Sequence, residues 1–218
     1  MELSRFAIII LGTVGMLALM ALRCIKTPQI KFWKIVIISF MLTIAGVAGA
    51  MLMFWFENGF FGGTSFFGAI LFVPILILPA MLLGIRFGKL MDLCAPAECI
   101  MLAVLKMDCM VNNCCSGMYM DRLGFVFPSQ IVEMITILLI MVVLLVMEHK
   151  GKKDVLYGWY LILYGSTRFI LNWFRDGITP FALGLPAGNF WSIVAVAAGI
   201  MWLYIIKNKA TGAVTKTA

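Results

Sequence analysis

The stretch LYGWYLILYGSTRFILNWFR at residues 156–175 decides the fold class, because it is apolar and long enough to cross a bilayer as a helix. It carries two arginines near one end. Arg168 lies inside the apolar run, and Asn172 and Arg175 follow at i+4 and i+7. Together with Tyr164 at i−4, these side chains share one face of the predicted helix. An arginine at membrane depth costs roughly 2.5–3.5 kcal/mol on insertion scales, so it normally faces a protein interior or a wet cavity.

Arg168 therefore needs an anionic partner, and the sequence leaves two kinds open. One is a carboxylate on a neighbouring helix, which would make Arg168 a structural residue. The other is the phosphate of a lipid headgroup, and Arg175, about 10 Å further along the helix axis, would extend the same positive stripe. Because charged residues within a membrane usually mark function, the phosphate site is the interpretation adopted here.

The composition predicts a polytopic membrane protein. Hydrophobic residues make up 63% of the 218 residues and charged residues 12%, against about 25% charged residues in a soluble domain. The net charge of +7 does not indicate nucleic-acid binding, because the lysines lie in short loops and no basic cluster contains interleaved aromatic residues. No polar linker divides the chain, so residues 1–218 are predicted to form a single transmembrane domain.

Hydropathy predicts an all-α fold with about seven transmembrane helices. The predicted segments lie at about 6–22, 33–55, 65–85, 90–107, 131–147, 157–174 and 190–206. Twelve of the 17 basic residues fall in alternate connections, namely loops 23–34, 86–89 and 148–156 and the C-terminal tail. The positive-inside rule then predicts an N-terminus outside and a cytoplasmic C-terminus. Lys106, Arg168 and Arg175 would all belong to the outer half of the membrane.

Two further stretches carry candidate binding groups near that outer end. ENGFFGGTSFFGAI at 57–70 contains Gly62, Gly63 and Ser65, where glycines permit irregular backbone beside a cavity; a structural turn is an equal alternative. DLCAPAECIMLAVLKMDCMVNNCCSG at 92–117 gathers polar groups at one helix end and closes on a glycine. Those polar residues are Lys106, Asp108, Asn112 and Asn113, and the glycine is Gly117.

FPSQIVE at 127–133 opens the fifth predicted segment. Pro128 interrupts regular secondary structure, and Ser129 is a predicted N-cap. The amides at the start of the fifth predicted helix would then be available to bind an anion. Gln130 and Glu133 follow. Asp108 and Glu133 are the candidate proton acceptors near the cations, and a structural ion pair with Lys106 or Arg168 is equally open for either.

The six cysteines and the single histidine give weaker signals. Cys109, Cys114 and Cys115 lie on the predicted outer side, where a disulfide of Cys109 with either neighbour is possible if the helix ends between them. No C-x-x-C pair or histidine accompanies them, so neither a metal nor another cofactor is predicted. Cys24, Cys94 and Cys99 are interpreted as small buried hydrophobes, and His149 as a solvated residue of a basic loop.

Four motifs in order resemble those of the bacterial prolipoprotein diacylglyceryl transferase family. They are GGTSFFG at 62–68, D-x-x-AP with K-x-D-C-x-x-N-N-x-x-x-G at 92–117, FPSQIVE at 127–133 and YGSTRFILNWFR at 164–175. The resemblance implies a multi-pass protein of the bacterial cytoplasmic membrane. It also implies transfer of the diacylglyceryl group of phosphatidylglycerol to the cysteine thiol of a prolipoprotein signal peptide, with glycerol phosphate as the leaving group.

Residue by residue, the resemblance has gaps. The two essential arginines of the family fall on Lys106 and Arg168, and its outer arginine falls on Arg175. Its glutamate between them is replaced by Asn172, and its histidine by Phe67. Its N-x-x-N-G-E-x-x-G element keeps only Asn112 and Gly117, and the tyrosine of its first helix falls near Leu11. The cations that would bind the lipid headgroup, called the phosphate clamp below, are retained. The groups that would act on the acceptor are replaced.

The sequence therefore predicts a divergent diacylglyceryl transferase, with a lipoprotein thiol or another molecule as acceptor. The predicted catalytic residues are Lys106, Asp108, Glu133 and Arg168. The predicted substrate-binding residues are Gly62, Gly63, Ser65, Asn112, Gly117, Ser129, Gln130, Tyr164, Asn172 and Arg175. A lipid-binding protein without catalysis is the main alternative. A small-molecule transporter is a weaker one, because no internal repeat is visible.

Overall fold

A computed structural model describes residues 2–25, 30–112, 117–121, 124–175 and 180–214. In these ranges the protein is a bundle of α-helices with two small hairpins. The helices are α1 (Glu2–Ile25), α2 (Phe32–Asn58), α3 (Phe66–Leu71), α4 (Val73–Leu76), α5 (Phe87–Val111), α6 (Ser129–His149), α7 (Leu156–Asn172) and α8 (Ala187–Val214). The hairpins pair β1 (Tyr119–Met120) with β2 (Phe125–Val126) and β3 (Pro180–Ala182) with β4 (Leu185–Pro186).

The all-α membrane class is confirmed. Among the described residues, four helices are long and apolar enough to cross a membrane, with spans Ala7–Cys24, Phe32–Asn58, Ser129–His149 and Ala187–Lys209. A helix satisfies its own backbone hydrogen bonds, which lipid cannot do for it. Large apolar side chains such as Leu139 and Val142 are exposed on the outside of the bundle, as a lipid-facing surface requires. The number of spans and the orientation of the termini stay predictions.

α5 is the central helix and packs against α1, α6 and α7. It falls outside the set of four because it carries charged residues, yet its side chains are largely buried, from Leu90 to Cys99 without a break. The polar residues that weakened its hydropathy signal therefore lie within protein rather than against lipid. This placement brings Lys106, near the end of α5, between the neighbouring helices.

The third predicted segment, 65–85, is not one helix. It is divided into α3, α4 and a 3-10 helix at Leu78–Leu83. Pro74 and Pro79 lie at the starts of the second and third pieces, where the missing amide and the ring interrupt helical hydrogen bonding. α3 packs so closely on α2 that a Cβ on Gly49 would collide with the carbonyl of Gly68. The glycines thus serve close packing between two helices here.

The helix of the opening stretch ends earlier than predicted. α7 ends at Asn172, so Arg175 is not part of the helix face that carries Tyr164 and Arg168. Instead, the backbone of Arg175 forms an isolated β-bridge with Gly117, and the amide of Met118 donates to the carbonyl of Phe174 at 3.0 Å. These contacts tie the segment after α7 to the segment after α5.

Ser129 is not the N-cap of α6, as the sequence suggested. The cap position belongs to Pro128, with no capping side chain, and the helix begins at Ser129. The amide of Ser129 donates to the carbonyl of Phe127 at 2.8 Å, so this amide is already engaged. The hairpins were not predicted either, because two- and three-residue strands are too short to show an alternating pattern.

A polar cluster holds the bundle together at the opposite end of α5. The carboxylate of Asp92 accepts from the amides of Asp154 and Leu156, the latter at 2.8 Å. Arg23 on α1 donates to Glu148 on α6 at 2.8 Å and to the carbonyls of Asp92 and Leu93 at 2.8 and 2.7 Å. The D-x-x-AP motif is therefore a structural joint between α1, α5, α6 and the start of α7.

Candidate functional site

Three charged side chains from three helices meet inside the bundle, and we call them the Glu133 cluster: Lys106 from α5, Glu133 from α6 and Arg168 from α7. All three are buried, with 1%, 4% and 6% of their surface exposed. The ammonium of Lys106 contacts one carboxylate oxygen of Glu133, and Nη1 of Arg168 contacts the other. Two cations thus share a single carboxylate within the protein.

These ion pairs correspond to one of the alternatives that the sequence left open for Glu133. Glu133 is an ion-pair partner of both cations at once, while Asp108 forms no ion pair with another of the described residues. Removing charges from water is expensive, and their mutual attraction repays that cost only with good geometry and complete pairing. Among the described residues, the cluster contains two cationic side chains and one carboxylate.

The aromatic pair of α3 covers the cluster. The ammonium of Lys106 lies 4.3 Å from the centroid of the Phe66 ring, a cation–π contact. The next residue, Phe67, is buried and stands edge-on to the ring of Tyr164 with 5.6 Å between centroids. The family resemblance places a histidine at Phe67. In this chain that position supplies apolar packing beside the cluster, and no proton-transferring group.

Asn172, predicted to bind substrate, is held by a residue that the sequence did not single out. Its amide nitrogen donates to Oδ1 of Asn189 on α8, and Asn189 in turn lies 3.4 Å from the carbonyl of Phe169. Both asparagines are buried. The signal that could have revealed Asn189 is a polar residue in the first turn of a long apolar helix, one turn from Ser192, which is also buried.

Arg175 is the third predicted cation. It is half-buried beyond the end of α7, and its Nε has no hydrogen-bond partner among the described residues. Its bridge partner Gly117 is confined by packing, since a Cβ there would collide with the carbonyl of Phe127. Gly117 thus helps to fix the backbone that carries Arg175. Gln130 lies half-buried in the first turn of α6, and Ser129 is fully buried beside it.

A cavity of about 500 Å³ lies between α1, α2, α3 and α5. Its lining includes three predicted site residues, Gly62, Gly63 and Asp108, together with the ring of Phe66. Oδ1 of Asp108 accepts from Asn112, the last residue of this helix end, at 2.8 Å. Phe66 therefore both lines this cavity and contacts Lys106 of the Glu133 cluster.

Ser65 belongs to neither place. Its hydroxyl is 3.0 Å from a carboxylate oxygen of Glu57, and its amide donates to the carbonyl of Ala50 at 3.0 Å. Both bonds anchor the glycine-rich loop to α2. In the structure, therefore, Ser65 has a structural role in this stretch, and Gly62 and Gly63 line the cavity.

The predicted disulfide and Asn113 fall on residues 113–116, which lie outside the described ranges. Within the described ranges, no group of three or more His, Cys, Asp or Glu side chains is placed to hold a metal ion. Glu98 is the other residue that the sequence analysis missed. In the sequence it stands out only as a charged residue that interrupts the fourth predicted segment. It is buried and lines the cavity.

The family model for prolipoprotein diacylglyceryl transferase matches residues 1–205, nearly the whole chain. Comparison with curated proteins gives no match. The model covers both the Glu133 cluster and the polar joint at Asp92. This integral membrane protein belongs to the prolipoprotein diacylglyceryl transferase family, a family of transferases.

Proposed function

We propose that this chain transfers the diacylglyceryl group of an anionic phospholipid, phosphatidylglycerol, and that Lys106 and Arg168 bind the phosphate that leaves. The single observation that carries this proposal is the meeting of two buried cations on one carboxylate. In this proposal, a lipid phosphate would contact both cations beside Glu133. The site would lie in the bacterial plasma membrane, with seven spans, the N-terminus outside and the cluster in the outer half.

In the proposed reaction, the nucleophile of the acceptor attacks the glycerol carbon that bears the phosphate ester. The bond between that carbon and the ester oxygen breaks, and the electron pair leaves with glycerol phosphate. The acceptor is the cysteine thiol of a prolipoprotein signal peptide or another nucleophile. Cations aimed at the charge that develops on the leaving phosphate lower the barrier most effectively in a site without bulk water.

Glu133 and Asp108 take different roles in this proposal. Both carboxylate oxygens of Glu133 are engaged by cations, so its proposed role is that of a positioning residue that holds Lys106 beside Arg168. Asp108 is held by Asn112 and lines the neighbouring cavity. Without an ion pair among the described residues, its carboxylate is the better acceptor for the proton that the nucleophile loses.

Lys106 and Arg168 would not bind the phosphate in the same way. An ammonium is a point charge, whereas a guanidinium offers a planar fork of donors that fixes the orientation of a phosphate. Arg168 therefore sets the geometry, and Lys106 supplies charge. Arg175, just beyond the end of α7, would attract the anionic headgroup. Tyr164 and Asn172 would hold α7 in position beside the site.

A second candidate function, lipid binding without transfer, is favoured by one observation. Phe67 occupies the position of the family histidine and packs edge-on against Tyr164 in a buried contact. If no other group activates the acceptor, Lys106 and Arg168 would bind phosphatidylglycerol without transfer of its diacylglyceryl group. A thiol reacts as its thiolate, so the reaction depends on some base or positive field.

The test is incubation of the purified full chain with phosphatidylglycerol labelled in the headgroup glycerol, with and without a lipobox peptide. We expect release of labelled glycerol phosphate. Release with lipidated peptide supports the thiol acceptor, and release without peptide lipidation supports another acceptor. Retention of the lipid without release selects the binding protein. Neither release nor retention, in chain that unfolds cooperatively, refutes the phosphate clamp.

A further inference from the structure

Glu98 is a buried carboxyl group that the proposed transfer reaction does not use. It lies in the middle of α5, two turns before Lys106, with 5% of its surface exposed. Neither of its carboxyl oxygens has a hydrogen-bond partner among the described residues. The hydroxyl of Tyr160 on α7 is close enough to interact with it, yet this hydroxyl also lacks a hydrogen bond of good geometry.

A carboxyl group in such a position is costly. Burying a polar group without a hydrogen bond costs about 1–3 kcal/mol by mutational data. Ionisable side chains at membrane depth are rare and face the bundle interior or a cavity. The chain shows the satisfied alternative two turns earlier, where Asp92 accepts from two backbone amides. Glu98 has no such arrangement, and its carboxyl lines a cavity instead.

The two carboxyl groups of the cavity lining differ in exposure. Glu98 is buried, and the lining also includes the fully buried apolar side chains of Met16, Ile70 and Val73. Asp108 is half-buried and lies ten residues further along α5, which corresponds to about 15 Å. At about 500 Å³, the volume falls within the roughly 300–1,000 Å³ of typical small-ligand sites.

The charge of the lining points to one kind of ligand. The cavity wall contains two carboxyl groups, Glu98 and Asp108, while no lysine, arginine or histidine belongs to it among the described residues. Most of the remaining wall is apolar. Lys106 contacts the ring of Phe66, which lines the cavity, but Lys106 itself is not part of the lining and is paired with Glu133. The cavity and the Glu133 cluster therefore have opposite electrostatic preferences.

We propose that this cavity binds an aliphatic amine, with the hydrocarbon chain against the apolar wall and the amino group donating hydrogen bonds to Glu98. An amine would supply hydrogen-bond donors for the Glu98 carboxyl group and a positive counter-charge for its carboxylate form. The amine contact at Glu98 does not involve Lys106 or Arg168, although it shares the cavity with Asp108, the proposed proton acceptor of the transfer reaction. It adds to this chain a recognition site for a cationic amphiphile at the centre of the membrane domain.

The experiment uses the full chain in nanodiscs of phosphatidylcholine, with empty nanodiscs as the blank. Equilibrium dialysis measures retention of radiolabelled dodecylamine, dodecanol and dodecanoic acid, which share a chain and differ in the end group. We expect at least tenfold stronger binding of the amine than of the acid. Equal retention of amine and acid overturns the proposal.

Two variants separate recognition from folding. Glu98→Gln keeps the size and removes the charge, and we expect it to weaken dodecylamine binding at least tenfold. Glu98→Leu removes the unpaired polar group, and we expect it to abolish amine binding while the thermal unfolding temperature stays the same or rises. Unchanged amine binding in either variant refutes the site.

Two further variants serve as controls. Asp121→Asn changes an exposed acid outside the cavity and should leave amine binding intact. Arg168→Ala should also retain the amine while it loses glycerol phosphate release. Loss of the amine in the Asp121 variant would show binding to general negative charge, which contradicts the proposal. The two probes keep a failure of this site distinct from a failure of the phosphate clamp.

Discussion

The two ends of α5 treat buried charge in different ways. At the Asp92 end, each carboxylate oxygen accepts from a backbone amide, and Arg23 divides its donors between Glu148 and two carbonyls. At the Lys106 end, two cations contact one glutamate and an aromatic ring. The first cluster combines one side-chain pair, Arg23 with Glu148, with several hydrogen bonds to backbone groups, whereas the second pairs side chains with one another.

From this difference we interpret the Asp92 cluster as structural and propose a functional role for the Glu133 cluster. Backbone partners are fixed by the helices themselves, so the Asp92 joint specifies how α1, α5, α6 and α7 are assembled. In the part of the chain that the structure describes, the Glu133 cluster joins two cationic side chains to one carboxylate, and we propose that they bind substrate. Breaking the first should therefore cost stability alone, and changing the second should alter activity as well.

The largest effect on stability is expected for Glu133→Gln. Removal of this carboxylate leaves Lys106 and Arg168 close together without their shared counter-charge, and breaking a buried pair in this way costs about 3–5 kcal/mol. Unfolding of the purified protein in detergent measures the loss. Lys106→Met in the same chain should recover part of it. If the double variant is no more stable than Glu133→Gln, the two side chains are not coupled.

Arg168→Ala should have the largest effect on activity. Removing one donor to a developing anion typically lowers the rate by about 10²–10³, and the labelled glycerol phosphate assay measures it. Glu133 keeps Lys106 as partner, so the fold should survive. Arg86→Ala is the matched control, because Arg86 is exposed and pairs with Asp154 at the other end. Equal rates in the two variants would contradict the clamp.

Asp92→Asn should reduce stability by about 1–3 kcal/mol, the usual cost of a buried group that loses its partner. Asparagine has one carbonyl oxygen, so one of the amides at Asp154 and Leu156 is left without an acceptor. Thermal unfolding measures the change, and the activity of the remaining folded protein should equal that of the wild type. A loss of activity at unchanged stability would transfer Asp92 to the functional class.

His149→Ala should have the smallest effect, within about 0.5 kcal/mol in stability and none in activity. His149 is the last residue of α6, at the end opposite Glu133. Unfolding and glycerol phosphate release, measured on the same preparation, check both statements. Loss of activity in this variant would mean that the only histidine of the chain takes part in the reaction, against the site proposed here.

The cations were predictable because an arginine inside an apolar run of membrane length requires a partner. Lys106 was recognised through the same reasoning and the order of the motifs. Glu133 was predicted only as a proton acceptor or an ion-pair partner, and nothing in its own segment chooses between them. The choice depends on the rotation of α6 about its axis, which packing against α5 determines.

Other features were out of reach for equally physical reasons. The third segment is apolar throughout, so hydropathy predicts one helix, and only the combination of Pro74 and Pro79 with packing on α2 breaks it into pieces. Asn189 joins Asn172 across two helices that are separate in the chain. Glu98 looks like an interruption of a helix until the cavity beside it is seen.

By itself, the sequence determined that this is an all-α membrane protein of the diacylglyceryl transferase family, with two cations in its apolar segments. Hydropathy and motif order depend on residues that are close together in the sequence, so both can be predicted without the fold. Only the tertiary structure decided that both cations share Glu133, that Arg175 lies beyond the helix and that Glu98 lines a cavity. Those facts depend on how helices rotate and end against one another, and the packing of the whole bundle sets these relations.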